Sequence, residues 1–316
     1  MKIGAVEIHA LARLAPMAGA TNAPFRLIAR ECGSGLTTTE EMDAAALLMN
    51  HPHADAIAAY YPAERPLAMQ LLGRDVDLLV RAAERVQALG ADIVDLNMGC
   101  PMPKITGKGK GAALMRDVTG TALILRGLRK ALDVPLTIKI RGGWDDEHLN
   151  AVEVAQMAEA EGVDAITVHP RSRSQRFTGK APWTVIGEVA EAVRVPVTGN
   201  GDVRSMAEAR RMMAETGCQS VMIGRGALGS PWVFDSALES LAPGKQLDYK
   251  ARVIARHCAL IREHFSLKYA LIQMKKHLAW YTEGLGHATR CRVEIFQSRT
   301  ADEVWEVFQG YWKATE

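Results

Sequence analysis

No two cysteines in this chain lie close enough in sequence to staple a short loop or grip a metal. Cys32, Cys100, Cys218, Cys258 and Cys291 are odd in number, far apart and free of any C-x-x-C pair. That pattern argues against a disulfide framework, a zinc site or an iron–sulfur cluster, so no metal is expected. Long apolar runs are also missing, since no stretch approaches the roughly 18 residues a membrane span needs. Glu7, His9 and Arg13 interrupt the start of the chain, which therefore does not read as a secretory leader. A cytoplasmic protein without membrane association is expected. Strong net charge is absent as well: the formal balance is +2, and 48% of the residues are hydrophobic, which excludes a disordered polyelectrolyte.

What is present suits a large enzyme. The 316 residues suffice for one substantial core plus a smaller appendage. Charge is unevenly distributed, because residues 244–316 hold 12 Lys or Arg against 8 Asp or Glu, while residues 1–243 hold 26 against 28. A basic tail suits an anionic partner, and an ordinary solvated surface suits the same count.

Three segments echo one another: Gly90–Asn97, Gly162–His169 and Gly217–Gly224 each put a glycine where a helix should end, then run through β-prone residues to a polar or glycine residue. Val134–Ile140 and Val195–Asn200 share a V-P-[LV]-T start, with proline at a position where a strand can forgo its donor. Leu11–Met17, Leu36–Glu40 and Pro66–Leu72 bring the strand candidates to eight. Helical stretches lie between most of them, including Ala151–Glu161 and one opened by the capping box Ser205-x-x-Glu208. Alternation of this kind over residues 1–243 predicts a (β/α)8 TIM barrel, an α/β fold. An open doubly wound sheet would carry a dinucleotide turn after its first strand, where Pro16-Met17-Ala18-Gly19 stands instead. Beyond Ala242-Pro243-Gly244-Lys245 the strands stop, and Asp248–His264, Tyr269–Thr282, Ala288–Gln297 and Ala301–Lys313 predict a small all-helical C-terminal domain over 244–316.

Barrel chemistry gathers at the C-terminal ends of the strands. Those positions are Pro16, Met17 and Ala18, Glu40, Gln70, Asn97, Lys139 and Arg141, His169, Asn200-Gly201-Asp202 and Gly224-Arg225. The two glycine-containing turns follow strands seven and eight, where barrels bind phosphate. Gly224–Gly229 also spells G-x-G-x-x-G, but it follows the last strand rather than the first, against a dinucleotide reading. Lys139 ends an apolar strand and either snorkels to solvent or meets a buried negative charge, such as that near the N1–C2 edge of a reduced flavin. Gln70 has the groups to bond the pyrimidine part of that ring, and His169 is a cofactor contact or a structural histidine. Phosphate turns, lysine and glutamine together suggest FMN. Cys100 sits in Asn97-Met98-Gly99-Cys100-Pro101, ahead of a loop carrying Lys104, Lys108 and Lys110. An ordinary thiol, with a pKa near about 8.5, is protonated at neutral pH and can act as a general acid.

These residues resemble a known family. Ala15-Pro16-Met17-Ala18-Gly19, Gln70-Leu71-Leu72-Gly73, Asp95–Pro101, Lys139-Ile140-Arg141, Asn200-Gly201-Asp202 and Met222-Ile223-Gly224-Arg225 are similar to the bacterial tRNA-dihydrouridine synthases, most of all the B branch, along essentially the whole chain. The resemblance implies an NADPH-reduced FMN enzyme that delivers a hydride to C6 of a uridine in the tRNA D-loop, while Cys100 protonates C5. It places FMN against Pro16, Met17, Ala18, Gln70, Lys139, Asn200, Gly201, Asp202, Gly224 and Arg225, and the uracil beside Asn97. The family's H-G-R-T-R reads His169-Pro170-Arg171-Ser172-Arg173 here, and Pro170 removes a backbone donor from that loop. Arg141, Arg171, Arg173 and the loop lysines are expected to meet RNA. Arg252, Arg256, Arg262, Lys268, Lys275, Lys276, Arg290 and Arg292 are the corresponding candidates in the tail. The alternative is an FMN barrel acting on a free pyrimidine, of the dihydroorotate or dihydropyrimidine dehydrogenase type. A free base needs neither a helical tail nor loop lysines. No obligate protein partner is evident.

Overall fold

The computed structural model of the chain describes residues 1–314, so the last two residues of the 244–316 tail lie outside the described residues. Eight parallel strands form the barrel: β1 Ala12–Leu14, β2 Thr37–Thr38, β3 Leu67–Leu72, β4 Ile93–Met98, β5 Leu136–Arg141, β6 Ala165–His169, β7 Val197–Asn200 and β8 Ser220–Ile223. They pair in the order β1-β8-β7-β6-β5-β4-β3-β2. The seam between β1 and β2 is closed by single bonds rather than a ladder. Leu14 N donates to Leu36 O at 3.2 Å and Gly35 N to Ala12 O at 2.9 Å, while the Ser34 hydroxyl accepts from Leu14 N. This seam explains why β1 and β2 are shorter than the predicted Leu11–Met17 and Leu36–Glu40.

Alternation along the strands sorts their side chains. Leu136, Ile138 and Ile140 face the helices, whereas Thr137, Lys139 and Arg141 belong to the opposite, inward set. The same period in β1, β6 and β7 puts Arg13, Thr167 and Thr198 inside, where Arg13 donates to the Thr167 and Thr198 hydroxyls at 2.7 and 2.5 Å. Asp95 accepts from Thr137 at 2.5 Å and Gln70 at 2.7 Å. Burial lowers the Arg13 pKa to about 10, against the opposing pull of Asp95. The barrel is thus filled by a connected polar layer beneath the cavity mouth. Its floor is sealed by an N-terminal hairpin, Lys2–Ile3 with Val6–Glu7, whose Ile3 packs with Ile8, Leu36, Ala68, Ile93 and Ala165.

The outer helices are α1 Ala23–Glu31, α2 Val76–Ala88, α3 Val118–Ala131, α4 Ala151–Ala160, α5 Thr184–Ala192 and α6 Met206–Thr216. Ser205 caps α6 as expected, accepting from Glu208 N at 3.1 Å. The Glu208 carboxylate, however, turns to Arg204 N rather than completing a box on Ser205. Gly162 and Gly217 adopt φ of 86° and 69°, the left-handed conformation that lets the chain turn from helix to strand.

Four further helices follow: α7 Pro243–His264, α8 Leu267–Tyr281, α9 Ala288–Gln297 and α10 Ala301–Lys313. α7 begins five residues before the predicted Asp248, with Pro243 at its first position, where a missing N–H is harmless. Ile254, Cys258 and Ile261 of α7 enter the tail core with Met274, Leu278, Ile295 and Phe308. Another side of the same helix packs Val253 and Leu260 on Leu27 and Ile28 of α1 and on Cys32 just past its end. α7 is therefore both a wall of the barrel and the first helix of the tail. Beneath this contact a fully buried ion pair joins Arg26 to Glu64 at 2.7 Å.

Candidate active site

A cavity of about 930 Å³ opens at the C-terminal ends of the strands. Pro16, Met17 and Ala18, Asn97, Cys100, Lys139, Arg141, His169, the Asn200-Gly201-Asp202 turn, Gly224 and Arg225 all line it, and so does Arg171 of the loop after β6, whereas Glu40 and Gln70 of the strand-end set do not. Glu41 lines it too, and so do Lys276 and Trp280, which α8 brings over the mouth.

At the base, the Lys139 ammonium donates to Asn200 Oδ1 at 2.9 Å, and Asn200 in turn donates to Met222 O at 2.7 Å. Burial lowers the Lys139 pKa to about 7; Arg141 and Arg13 push the same way, and Asp95 opposes them. A lysine so placed gains its charge when an anion arrives beside it. His169 is likewise held neutral, by burial first and then by the surrounding Lys139, Arg141, Arg171 and Arg225. Arg171 lies 3.3 Å from His169 Nε2, so this nitrogen is the acceptor and Nδ1 carries the proton.

The glycine turns after β7 and β8 are drawn together. A Cβ on Gly226 would come within 2.4 Å of Val203 O, which only glycine allows. Asp202 ties the turns, accepting from Arg171 at 2.8 Å and lying 3.6 Å from Arg225. Although burial alone would raise its pKa, the Ala181 N–H and these two guanidinium groups bring it below the usual carboxylate value.

The thiol sits at the opposite side. Cys100 donates to Glu41 Oε1 at 3.4 Å, and its own N–H donates to Asn97 Oδ1 at 2.9 Å. Burial, reinforced by the Glu41 charge, pushes the thiol pKa up to about 11. It is a thiol rather than a thiolate throughout the neutral range, more firmly than its sequence context alone implied.

Several expected contacts turn elsewhere. Gln70 is fully buried below the cavity, with its amide spent on Asp95 and on Asn97, which donates to Gln70 Oε1 at 2.8 Å. Asn97 is similarly committed: its Nδ2 also reaches Glu41, and its Oδ1 holds Gly99 N and Cys100 N. Arg171 is only 2% exposed and fastens the carbonyls of Thr178 and Gly179 as well as Asp202, so it braces the loop containing Pro170 rather than facing solvent. Arg141 does the same for Gly99, Ser172 and Arg176. Arg173 stacks over Trp144 at 4.5 Å outside the cavity. Of the loop lysines, Lys104 and Lys108 are exposed and Lys110 pairs with Asp43.

In the tail, Arg256 pairs with Glu31, Arg262 with Asp302 and Arg290 with Glu294. Lys275 and Arg292 are bonded to Phe296 O and Thr282 Oγ1. Lys276 reaches Gly19 O, whose residue also donates its N–H to Glu40.

Glu41 is the functional group that strand-end reading missed. The pattern puts the end of β2 at Glu40, but the strand stops at Thr38, and Glu40 turns to the β1 loop while its neighbour enters the cavity.

The fold and the site define a parallel α/β-barrel enzyme with a cation-rich cavity, two glycine turns after β7 and β8, and a thiol facing them at the strand ends. Comparison with known proteins narrows this class. The family described as Dihydrouridine synthase (Dus) matches residues 13–314, and the chain belongs to it. A probable tRNA-dihydrouridine synthase of Rhodobacter capsulatus is 39% identical over 289 residues, covering 89% of this chain and 88% of that protein. The tRNA-dihydrouridine synthase B of Pseudomonas aeruginosa is 34% identical over 307 residues, 96% and 92% of the two chains. Among solved structures, a 2-naphthoyl-CoA reductase superposes with a TM-score of 0.62 at 15% identity, over 76% of this chain and 51% of that one. Histamine dehydrogenase from Rhizobium sp. 4-9 gives 0.61 at 12% identity, over 100% and 63%. At such low identity these two bear on the fold alone.

Proposed function

We propose that this chain reduces a uridine in the D-loop of tRNA to 5,6-dihydrouridine, using FMN and NADPH, with Cys100 as the proton donor. The observation that carries the reading is a protonated thiol facing a cation-rich cavity across from two phosphate-type turns. The residues present fit FMN. The turns after β7 and β8, with Arg225, offer backbone donors and charge to a phosphate. Pro16, Met17 and Ala18 supply an apolar edge, and Lys139 supplies a latent positive charge at the base. Gln70, enclosed beneath, supports this floor by fixing Asn97.

FMN, when bound there and reduced by NADPH, supplies the hydride for C6 of the uracil ring. The chain's own residues do the rest. Cys100 releases its proton to C5, and Asn97 Oδ1, accepting from Gly99 N and Cys100 N, keeps the thiol's backbone in place. Arg141 holds Gly99 O and so fixes the same turn from the other side. A uridine stacked in folded tRNA cannot reach this depth, so it must be extruded at a cost of a few kcal/mol. Exposed Lys104 and Lys108, with cations of the tail, offset that cost through phosphate contacts. Surface pairs such as Arg256–Glu31 contribute little by themselves and exchange readily for phosphate.

The test is anaerobic. The purified protein is reduced, unmodified tRNA is added, and flavin reoxidation is followed while dihydrouridine is assayed by mass spectrometry. Reoxidation with a two-dalton gain on one D-loop uridine is expected. Reoxidation by free orotate or uracil, and none by tRNA, would transfer the assignment to a small-molecule dehydrogenase.

A further inference from the structure

We infer that Glu41 is a positioning residue that keeps Cys100 in its proton-donating form and fixes the turn that carries it. This rests on the role proposed for Cys100, which makes no use of Glu41. The carboxylate bridges two partners: Oε1 accepts the Cys100 thiol at 3.4 Å and Oε2 accepts Asn97 Nδ2 at 2.9 Å. Asn97 then gathers Gly99 N and Cys100 N on its Oδ1, at 3.1 and 2.9 Å. Its remaining amide proton goes to Gln70, which is anchored on Asp95. One continuous chain of hydrogen bonds therefore runs from the barrel's polar layer to Glu41 and back to the sulfur.

The charged neighbours are few. Burial, with repulsion from Glu40, raises the Glu41 pKa above the ordinary carboxylate value, while the bonds from Cys100 and Asn97 and the charge of Lys104 favour the ionised form. On the far side of the sulfur, Arg141 and the Met102 N–H favour the thiolate, yet burial and Glu41 outweigh them. An ionised carboxylate can only accept, and a thiol has one proton to give, so the resting pair holds that proton on sulfur. On transfer, the S–H bond breaks and a C–H bond forms at the substrate carbon bearing the electron pair. The thiolate then lies against a carboxylate. Two negative charges so close favour regaining a proton, and the sulfur takes one from water before the next turnover. The same repulsion suppresses the thiolate at rest, which protects the sulfur from alkylation and oxidation.

The reaction of the flavin-loaded protein with iodoacetamide, followed peptide by peptide across pH, reads the thiol directly. The other four cysteines are buried, which isolates the Cys100 signal. In the wild type, alkylation of Cys100 should rise only in strong alkali, towards a midpoint near 11. Glu41→Gln should lower that midpoint by about one pH unit or more, with roughly tenfold faster alkylation near pH 9. Coincident profiles for the two proteins would overturn the inference. A wild-type midpoint near the ordinary value of about 8.5 would overturn it as well, without need of the variant. Because alkylation requires no tRNA, a wild type that forms no dihydrouridine would sink the uridine-reductase reading and leave this result standing.

Discussion

Replacing Lys139 with methionine should make the flavin-free protein more stable, and the gain should disappear in alkali. Methionine keeps the length of the stem and removes the ammonium, which among the described residues donates to the neutral Asn200 Oδ1 alone. The folded-state pKa is about 7 against an ordinary 10.5. Between those values the unfolded chain still holds a proton that the folded chain has released, so wild-type stability rises with pH across that window. Below it, burying the charge costs at most about 5 kcal/mol at about 1.36 kcal/mol per unit. Water in the open cavity screens the charge, and about 2 kcal/mol is the working figure. For a chain of 316 residues that corresponds to roughly 3 °C in melting temperature. Melting curves of flavin-stripped wild type and Lys139→Met at about pH 6.5, 8 and 10 test the argument, with the gap expected to close towards the last. A variant less stable than wild type at the lowest pH, or a gap indifferent to pH, would refute it. The same substitution should weaken flavin binding about tenfold or more, because the stability was given up for the site.

Cys100→Ala should retain flavin and fold yet lose turnover on tRNA by roughly 100-fold or more, measured as dihydrouridine formed per unit time. Gly226→Ala should destabilise by about 2 kcal/mol and shed flavin, since its methyl would press on the Val203 carbonyl at 2.4 Å; urea midpoints and visible absorbance report both. Arg26→Met should cost about 3–5 kcal/mol by stranding Glu64. Adding Glu64→Gln should recover much of that loss, whereas a double variant no more stable than the single one would show that the ion pair is not the cause.

Much of the barrel was legible because β4, β6 and β8 each follow a helix-ending glycine and β5 and β7 share a V-P-[LV]-T start. β1 and β2 resisted, since their seam is closed by Ser34 and isolated backbone bonds that no local pattern encodes. At the site, the ends of β4 to β8 put Asn97, Lys139, Arg141, His169, Asn200 and Gly224 on the cavity lining. A two-residue error at the end of β2 sent attention to Glu40 and away from Glu41, because adjacent residues leave a strand on opposite sides. Gln70 and Arg171 are a different case. Their residue types suited a ligand, but each found enough partners within the chain to be spent there, and those partners lie 25 and 31 residues away. The alternation Thr137, Lys139, Arg141 already announced the polar barrel interior, a signal available in the sequence.

The shared helix α7 leaves no seam at which barrel and tail can part. One of its flanks lies on α1 and another in the tail core, while α8 clasps the β1 loop through Lys276 and leans Trp280 over the cavity. A cut after residue 243 would strip a wall from one piece and an apolar core from the other. The surface proposed to grip an RNA and the pit where its base would react are thus joined through packed helices. On the proposed reading, the movement that brings them together falls to the RNA, whose nucleotide swings out to a socket already formed.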